Sequence, residues 1–321
     1  MKVEQSRGYS LALLCSLSGY SRQAYYKRRL TLEKEPLKEE LIIQLVLDLR
    51  ELQPRIGGRK LLLLLSPFMK RHRISMGRDT FFTMLGHYEL LNKRGRKKPR
   101  TTDSGHWMRK YPNLVTELIP TASDELWVSD ITYLMLKEKD VFLSLVTDAF
   151  SRKIVGFHVS DSLSADGAVL ALQMAIGGRR NLQGLIHHSD RGCQYCCDRY
   201  VNELKGCGIS ISMTQSGDPR DNAIAEPVNG ILKMELLQPV FADLGAAITA
   251  VTQAVNIYNY LRPHSSISML TPALVHGRDI KVKRCWKNYY RTIKQNKPDV
   301  IIHKKEPLFK RKKSSKKKKT S

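Results

Sequence analysis

The sequence predicts an α/β fold: a five-stranded mixed sheet with helices, preceded by a small all-helical module. Three observations carry this reading. Residues 123–279 alternate apolar, β-branched and aromatic runs with stretches of helical period, residues 35–92 show helical spacing only, and a basic stretch separates the two. The chain has 321 residues, 42% of them hydrophobic, enough for a buried core in more than one folded unit.

Taken in order, residues 1–31 hold Leu14-Cys15-Ser16-Leu17-Ser18-Gly19-Tyr20-Ser21-Arg22, which reads as a short helix, a turn and a second helix ending near Tyr26. Residues 35–92 follow. Pro36 suits a helix start and Glu39 and Glu40 its first turn, while Leu41, Leu45, Leu49 and Leu52 fall at helical spacing. A helix from Gly58 meets Pro67, which should end or kink it, and a third covers Arg78–Tyr88. Three short helices with basic ends suit a helix-turn-helix-like DNA-binding domain, and equally a scaffold bundle without groove contacts. Residues 93–122 form a basic linker, with eight Lys and Arg against one acid between Lys93 and Lys110.

The third region, 123–279, opens with a strand at Leu126–Leu136. Trp127, Ser129, Ile131 and Tyr133 share one face, Val128, Asp130, Thr132 and Leu134 the other. Strands at Val141–Val146 and Lys153–Val159 follow after short connections, so the three form an antiparallel meander. A helix near Ala165–Ala175, a strand at Leu185–His188, a helix near Asp198–Lys205, a strand at Ile209–Met213 and two further helices complete the region. Three antiparallel strands and then αβαβα is the order of the RNase H-like fold, an architecture that does not itself give a function. Residues 280–321 are a basic tail: from Lys281 on, 17 Lys and Arg face two acids, and the Lys310–Lys319 stretch reads as disordered.

Charge narrows the classes. Lys and Arg number 54 against 30 acidic residues, a formal +24, which points to a polyanionic partner, nucleic acid first. No apolar run approaches the ~20 residues of a membrane-spanning helix. Met1–Ser10 has no signal-peptide pattern, so the reading is cytosolic. The six cysteines read as reduced thiols. Cys193 and Cys196 beside His187 and His188 raise a zinc site, but no second Cys-x-x-Cys supplies four ligands.

A nucleic-acid phosphodiester is transferred in line, and two divalent cations about 4 Å apart stabilise the attacking and leaving oxygens. Such hard cations require carboxylates converging from different elements. Asp130 is an Asp in mid-strand, a poorly favoured position; Asp190 lies just past the end of a strand; Glu226 begins a helix that can swing it against the sheet.

The ordered motifs WVSDITY, VTDAFSRKIVGF, HHSDRGCQY and DNAIAEPVNGILKMEL resemble those of the OrfB-type transposases of the insertion-sequence-three family, which share the DDE core of retroviral integrases. Thirty-five residues separate Asp190 from Glu226, the family's D-35-E spacing. Tyr258-Asn259-Tyr260-Leu261-Arg262-Pro263-His264-Ser265 with Thr271-Pro272 is similar to its closing motif, and the likeness covers residues 10–280. Upstream, Ser18–Arg22, Gly77-Arg78-Asp79 and Thr101-Thr102-Asp103-Ser104 also fit.

The resemblance implies Asp130, Asp190 and Glu226 as catalytic residues and ligands of two Mg²⁺ (or Mn²⁺) ions. It places Lys233, Arg262 and His264 at DNA. The implied reaction is metal-dependent cleavage at the transposon 3′ end followed by strand transfer. The implied partners are terminal inverted repeats and target DNA, an OrfA-type partner or fusion, and further copies of the chain on DNA, in a bacterial cytoplasm at the nucleoid. Asp148, which also ends a strand, is left a structural or supporting role, and His187 and His188 read as packing or supporting groups rather than metal ligands. Two departures stand out. Pro227 follows Glu226 and is harmless only if its helix starts near Ala223–Ala225, and Arg55-Ile56-Gly57-Gly58-Arg59-Lys60 replaces a Tyr-Gly-Tyr-Arg-type run. The rival readings are a DNA-binding regulator or decayed transposase, which would bind without joining, and a simple nuclease, which would cut without joining.

Overall fold

The computed structural model describes residues 10–92, 107–116, 118–179, 182–215, 225–278 and 280, except for the side chains of 30–36 and 225–226. Residues 1–9, the linker residues Lys93–His106 with the Thr101–Ser104 motif, Asp221–Ile224 and the tail from Lys281, with Cys285, lie outside the described residues.

Helix α1 (Leu11–Leu17) starts where the Ser10 hydroxyl accepts a bond from the Leu13 N–H. Helix α2 (Arg22–Leu52) is capped likewise by Ser21, through the Ala24 N–H. It runs without a break across the stop expected near Tyr26 and the start expected at Pro36. Helix α3 (Gly58–Arg71) continues through Pro67. Leu61, Leu65 and Met69 lie at four-residue intervals across that proline and are all buried. They pack on Ile42 and Val46 of α2 and on Phe81 and Leu85 of α4 (Arg78–His87), so burial on both sides of Pro67 offsets the backbone bond it removes. Gly58 packs closely on α4 here: a Cβ would stand 2.9 Å from the end of the Phe82 ring.

The sheet begins with β1 (Leu126–Leu136), β2 (Asp140–Asp148) and β3 (Ile154–Ser160), paired antiparallel as the short connections require. After α5 (Ala165–Gly177), β4 (Ile186–Ser189) returns parallel to β1 on its other side. Two short helices, α6 (Cys193–Cys196) and α7 (Asp198–Gly206), lead to β5 (Ser210–Met213), parallel to β4. The order is β3-β2-β1-β4-β5. A sixth, two-residue strand absent from the sequence expectation, β6 (Val240–Phe241), pairs with the end of β1 at Met135 and Leu136. This mixed sheet with helices is the RNase H-like arrangement.

Alternation along β1 divides two cores. Trp127 turns to the layer of α5, α6 and α7, with Leu172, Tyr195 and Leu204. Leu134 turns to the other layer, formed by α8 (Ala225–Ile231), the π-helical turn Leu232–Leu236 and α9 (Leu244–Asn256). Gly156 on β3 lets α5 approach closely: a Cβ there would stand 2.0 Å from the Ala171 carbonyl oxygen. A second π-helical turn (Ile257–Leu261), a 3₁₀ turn (Ser265–Ile267) and α10 (Pro272–His276) close the described core.

Candidate active site

Asp130 lies in mid-β1, opposite Leu145 on β2, and so on the face covered by α8 and α9. Its carboxylate is half-buried. Oδ2 accepts from Nδ2 of Asn229 on α8 at 2.6 Å, and Oδ1 from the Ile131 N–H at 3.0 Å. Asp190 follows the last residue of β4. The parallel register pairs Val128 with His188, so Asp130 on β1 and Asp190, one residue past the end of β4, each lie two residues beyond that pair. Neighbouring strands lie about 4.8 Å apart, so the two residues lie in the same part of the sheet, at the C-terminal end of β4. The Gly192 N–H holds Asp190 Oδ1 at 2.9 Å, in a turn where a Cβ on Gly192 would come within 3.1 Å of that oxygen. One group senses both acids: the buried Tyr195 hydroxyl is pushed well above the usual phenol range, first by burial, then by Tyr200, Asp130 and Asp190.

Glu226 is the second residue of α8 and precedes Asn229 by three, close to one helical turn on the same helix face. Its side chain is outside the described residues. Pro227 falls in the first turn of α8, where N–H groups have no intrahelical acceptor, so it does not break the helix. Lys233, expected at DNA, lies seven residues beyond Glu226. The helix widens there into the π-turn, and Lys233 Nζ donates to Thr132 Oγ1 at 3.1 Å and to the Tyr133 carbonyl. Lys233 thus stands over β1, two residues past Asp130. Asn229, whose amide bonds Asp130, was missed from sequence. Its spacing of three from Glu226 was the available signal.

Arg262 and His264, expected at DNA, are placed inside the fold instead. Arg262 is 2% exposed, and its Nε and Nη2 both donate to Glu235 Oε2, at 3.0 and 2.6 Å. His264 is buried beside Ser266, and burial, then Arg262, lower its pKa to about 3, so it is neutral.

Asp124, Asp148 and His276 place ligand atoms within 4.8 Å of one another, a second group that could hold a metal. Asp148 pairs with Trp127, on the opposite face from Asp130. Its Oδ1 accepts from the Ser151 N–H and hydroxyl and its Oδ2 from the Asp124 N–H. Asp124 is paired with Arg179 at 2.8 Å and accepts from Trp127 Nε1. With the carboxylates already met by donors and a guanidinium, this cluster is a structural staple. His187 Nε2 meets the Ser129 and Tyr200 hydroxyls, and His188 Nδ1 meets the Ser212 hydroxyl. Cys196 is buried against Met213, its thiol raised to about 11 chiefly by burial. Among the described residues these groups form packing contacts and no zinc cage.

Asp130 and Asp190 fit a hard divalent cation: both are half-buried oxygen donors, one in mid-β1 and one just past the end of the neighbouring β4. Beside them the buried Asn229 Oδ1 has no hydrogen-bond partner among the described residues.

Fold and site together define a catalytic core of the integrase type. Residues 120–219 and 207–272 each match a family described as "Integrase core domain". The IS600 uncharacterized 31 kDa protein of Shigella sonnei is 31% identical over 265 residues, 81% of this chain and 96% of that protein. Transposase InsF for insertion sequence IS3A of Escherichia coli K12 is 29% identical over 199 residues, 60% of this chain and 67% of that protein. The HTLV-2 integrase catalytic core domain in complex with magnesium aligns at 19% identity and a TM-score of 0.37, over 48% of this chain and 97% of that one. The chain belongs to the insertion-sequence-three family of integrase-core transposases.

Proposed function

We propose that this chain is the DNA transposase of an insertion sequence, cleaving at the transposon 3′ end and joining that end to target DNA, with Asp130, Asp190 and Glu226 as the carboxylate triad. The observation that supports the reading is the parallel pairing of β1, which carries Asp130, with β4, which Asp190 follows, together with the bond from Asn229 on α8, the helix of Glu226, to Asp130.

The triad would hold divalent cations, two Mg²⁺ or Mn²⁺, whose chemistry is to stabilise the attacking and leaving oxygens of an in-line displacement. The protein's part is placement. Asn229 and the Ile131 N–H fix the Asp130 carboxylate and the Gly192 N–H fixes Asp190, while Glu226 would be supplied from the first turn of α8, the helix of Asn229. Water and then the DNA 3′-hydroxyl serve as nucleophiles, so no side chain forms a bond to DNA. Lys233 beside Thr132 supplies positive charge near the site, suited to one phosphate of the transposon end. Residues 35–92 would bind DNA, with 123–279 as the catalytic unit, the 93–122 linker and the 280–321 tail adding phosphate contacts. An OrfA-type partner, association of several copies on DNA and a place at the nucleoid complete the proposal. Among the described residues no helix is long and apolar enough to cross a membrane.

The test is purified full-length chain with a labelled terminal-repeat duplex and Mg²⁺. Cleaved and joined products are expected from the unaltered chain. Duplex binding without any product would leave the regulator reading standing, and cutting without joining would leave the nuclease.

A further inference from the structure

We infer that Glu235 is a positioning residue: it clamps the helical module and the Arg262 segment to the end of the helix that carries Glu226, so that DNA held by the module and the catalytic carboxylates move as one body. The inference rests on the transposase reading. Glu235 lies in the π-turn, nine residues after Glu226. Its Oε2 accepts two bonds from the interior guanidinium of Arg262, and Lys60 Nζ of α3 stands 3.7 Å from the same oxygen.

The backbone makes a second set of ties. The last carbonyls of a helix lack intrahelical donors. Here the Arg55 N–H donates to the Glu235 carbonyl at 3.1 Å and Arg55 Nη1 to the Met234 carbonyl at 3.4 Å. Cations at a helix C-terminus also suit its dipole. The donating loop is itself held: Asn92 Nδ2 donates to the Arg55 and Ile56 carbonyls, and Ile56 is buried in the module core. The stretch Arg55–Lys60, where the family's aromatic run is replaced, therefore caps the catalytic helix. Glu235 is the acid between Lys60 and Arg262. Burial, then Arg262, lower the Lys60 pKa, and Glu235 opposes them.

The test compares unaltered chain, Glu235→Gln, Lys60→Met and the double variant, all full length. Four quantities are read: the cleavage rate at saturating terminal-repeat DNA with Mg²⁺, the half-saturating DNA concentration, DNA affinity in EDTA, and hydrogen exchange in 53–61 and 225–236. Glu235→Gln should lower the saturated rate by about tenfold while half-saturation and EDTA affinity stay within about twofold, the pattern of impaired positioning rather than impaired binding. Protection should fall in both exchange segments together. Lys60→Met keeps the Arg262 pair and should lower the rate by about threefold. The double variant should recover toward Lys60→Met, because two facing cations are reduced to one.

An unchanged rate in both single variants, a loss confined to DNA affinity, or protection lost in one segment alone would overturn the clamp. If Glu235→Gln fails to fold, Lys60→Met decides by the same criteria. An unaltered chain that cleaves nothing, with exchange still coupled across the variants, would sink the transposase reading and leave the clamp.

Discussion

Asp130 and Asp148 both lie on central strands, and their surroundings give them opposite tasks. Asp130 is half-buried on the strand that pairs with β4, which Asp190 follows; Asp148 is fully buried and receives three bonds. Asp130→Asn, Asp190→Asn and Glu226→Gln should each abolish cleavage and joining while DNA affinity in gel shifts is kept, since an amide holds the shape but not a hard cation. Asp148→Asn should instead cost about 3 kcal/mol in urea unfolding, with activity per folded molecule retained, because an amide cannot accept all three bonds. A dead but stable Asp148→Asn would move the site to the Asp124 cluster. Two histidines predict a pH effect. His187 and His264 have pKa values lowered to about 3, chiefly by burial. In the unfolded chain they protonate near 6.5, so the unfolded state binds the extra protons and stability drops as pH falls below about 6.5. The slope approaches about 1.4 kcal/mol per pH unit for each. Urea midpoints measured from pH 7 to pH 5 should show this decline, and His264→Gln should make it shallower.

The close approach of β3 and α5 depends on a missing side chain. Gly156→Ala would drive a methyl into the Ala171 carbonyl, a backbone atom that cannot step aside without moving the helix. The expected loss is about 3 kcal/mol or more in chemical denaturation, and a neutral result would mean the two elements are not packed this tightly. The same scale shows what sequence could reveal. Strand β1 was legible to the residue and the meander to within two, because alternation reports a half-buried strand directly. Pro67 misled, since local propensity says nothing of the buried Leu65 and Met69 that carry α3 past it. The π-turns had no signature. Lys233 meets Thr132 and Tyr133 of a strand about a hundred residues earlier, and tertiary contacts of this kind reward the wider turn. For Asp130 and Asp190 strand position and motif order gave their places in and just past the strands. For Arg262 they did not: a cation in a basic chain reads as a DNA contact until the fold shows the glutamate facing it.

For the molecule as a whole, charge governs affinity more than selectivity. Deleting 304–321 removes ten Lys and Arg and one acid. Binding to terminal-repeat and random duplexes should weaken alike, and the slope of log affinity against log salt should flatten by about 0.9 for each phosphate that is no longer neutralised. Weakening confined to the repeat would show that the tail reads bases.

The sheet's two outer strands carry a further consequence. On β3, Asn259 accepts from the Ile154 N–H and donates to the Ile154 carbonyl, both at 2.9 Å, as a neighbouring strand would. On β5, the Met213 N–H donates to the Pro112 carbonyl and the Ser212 hydroxyl accepts from the Leu114 N–H, so the end of the linker lies along that margin. Open margins invite strand addition and fibrillar growth. Here a side chain holds the start of one margin and a stretch of the chain's own connector lies along the end of the other, which leaves less open backbone for a highly basic chain to extend its sheet through.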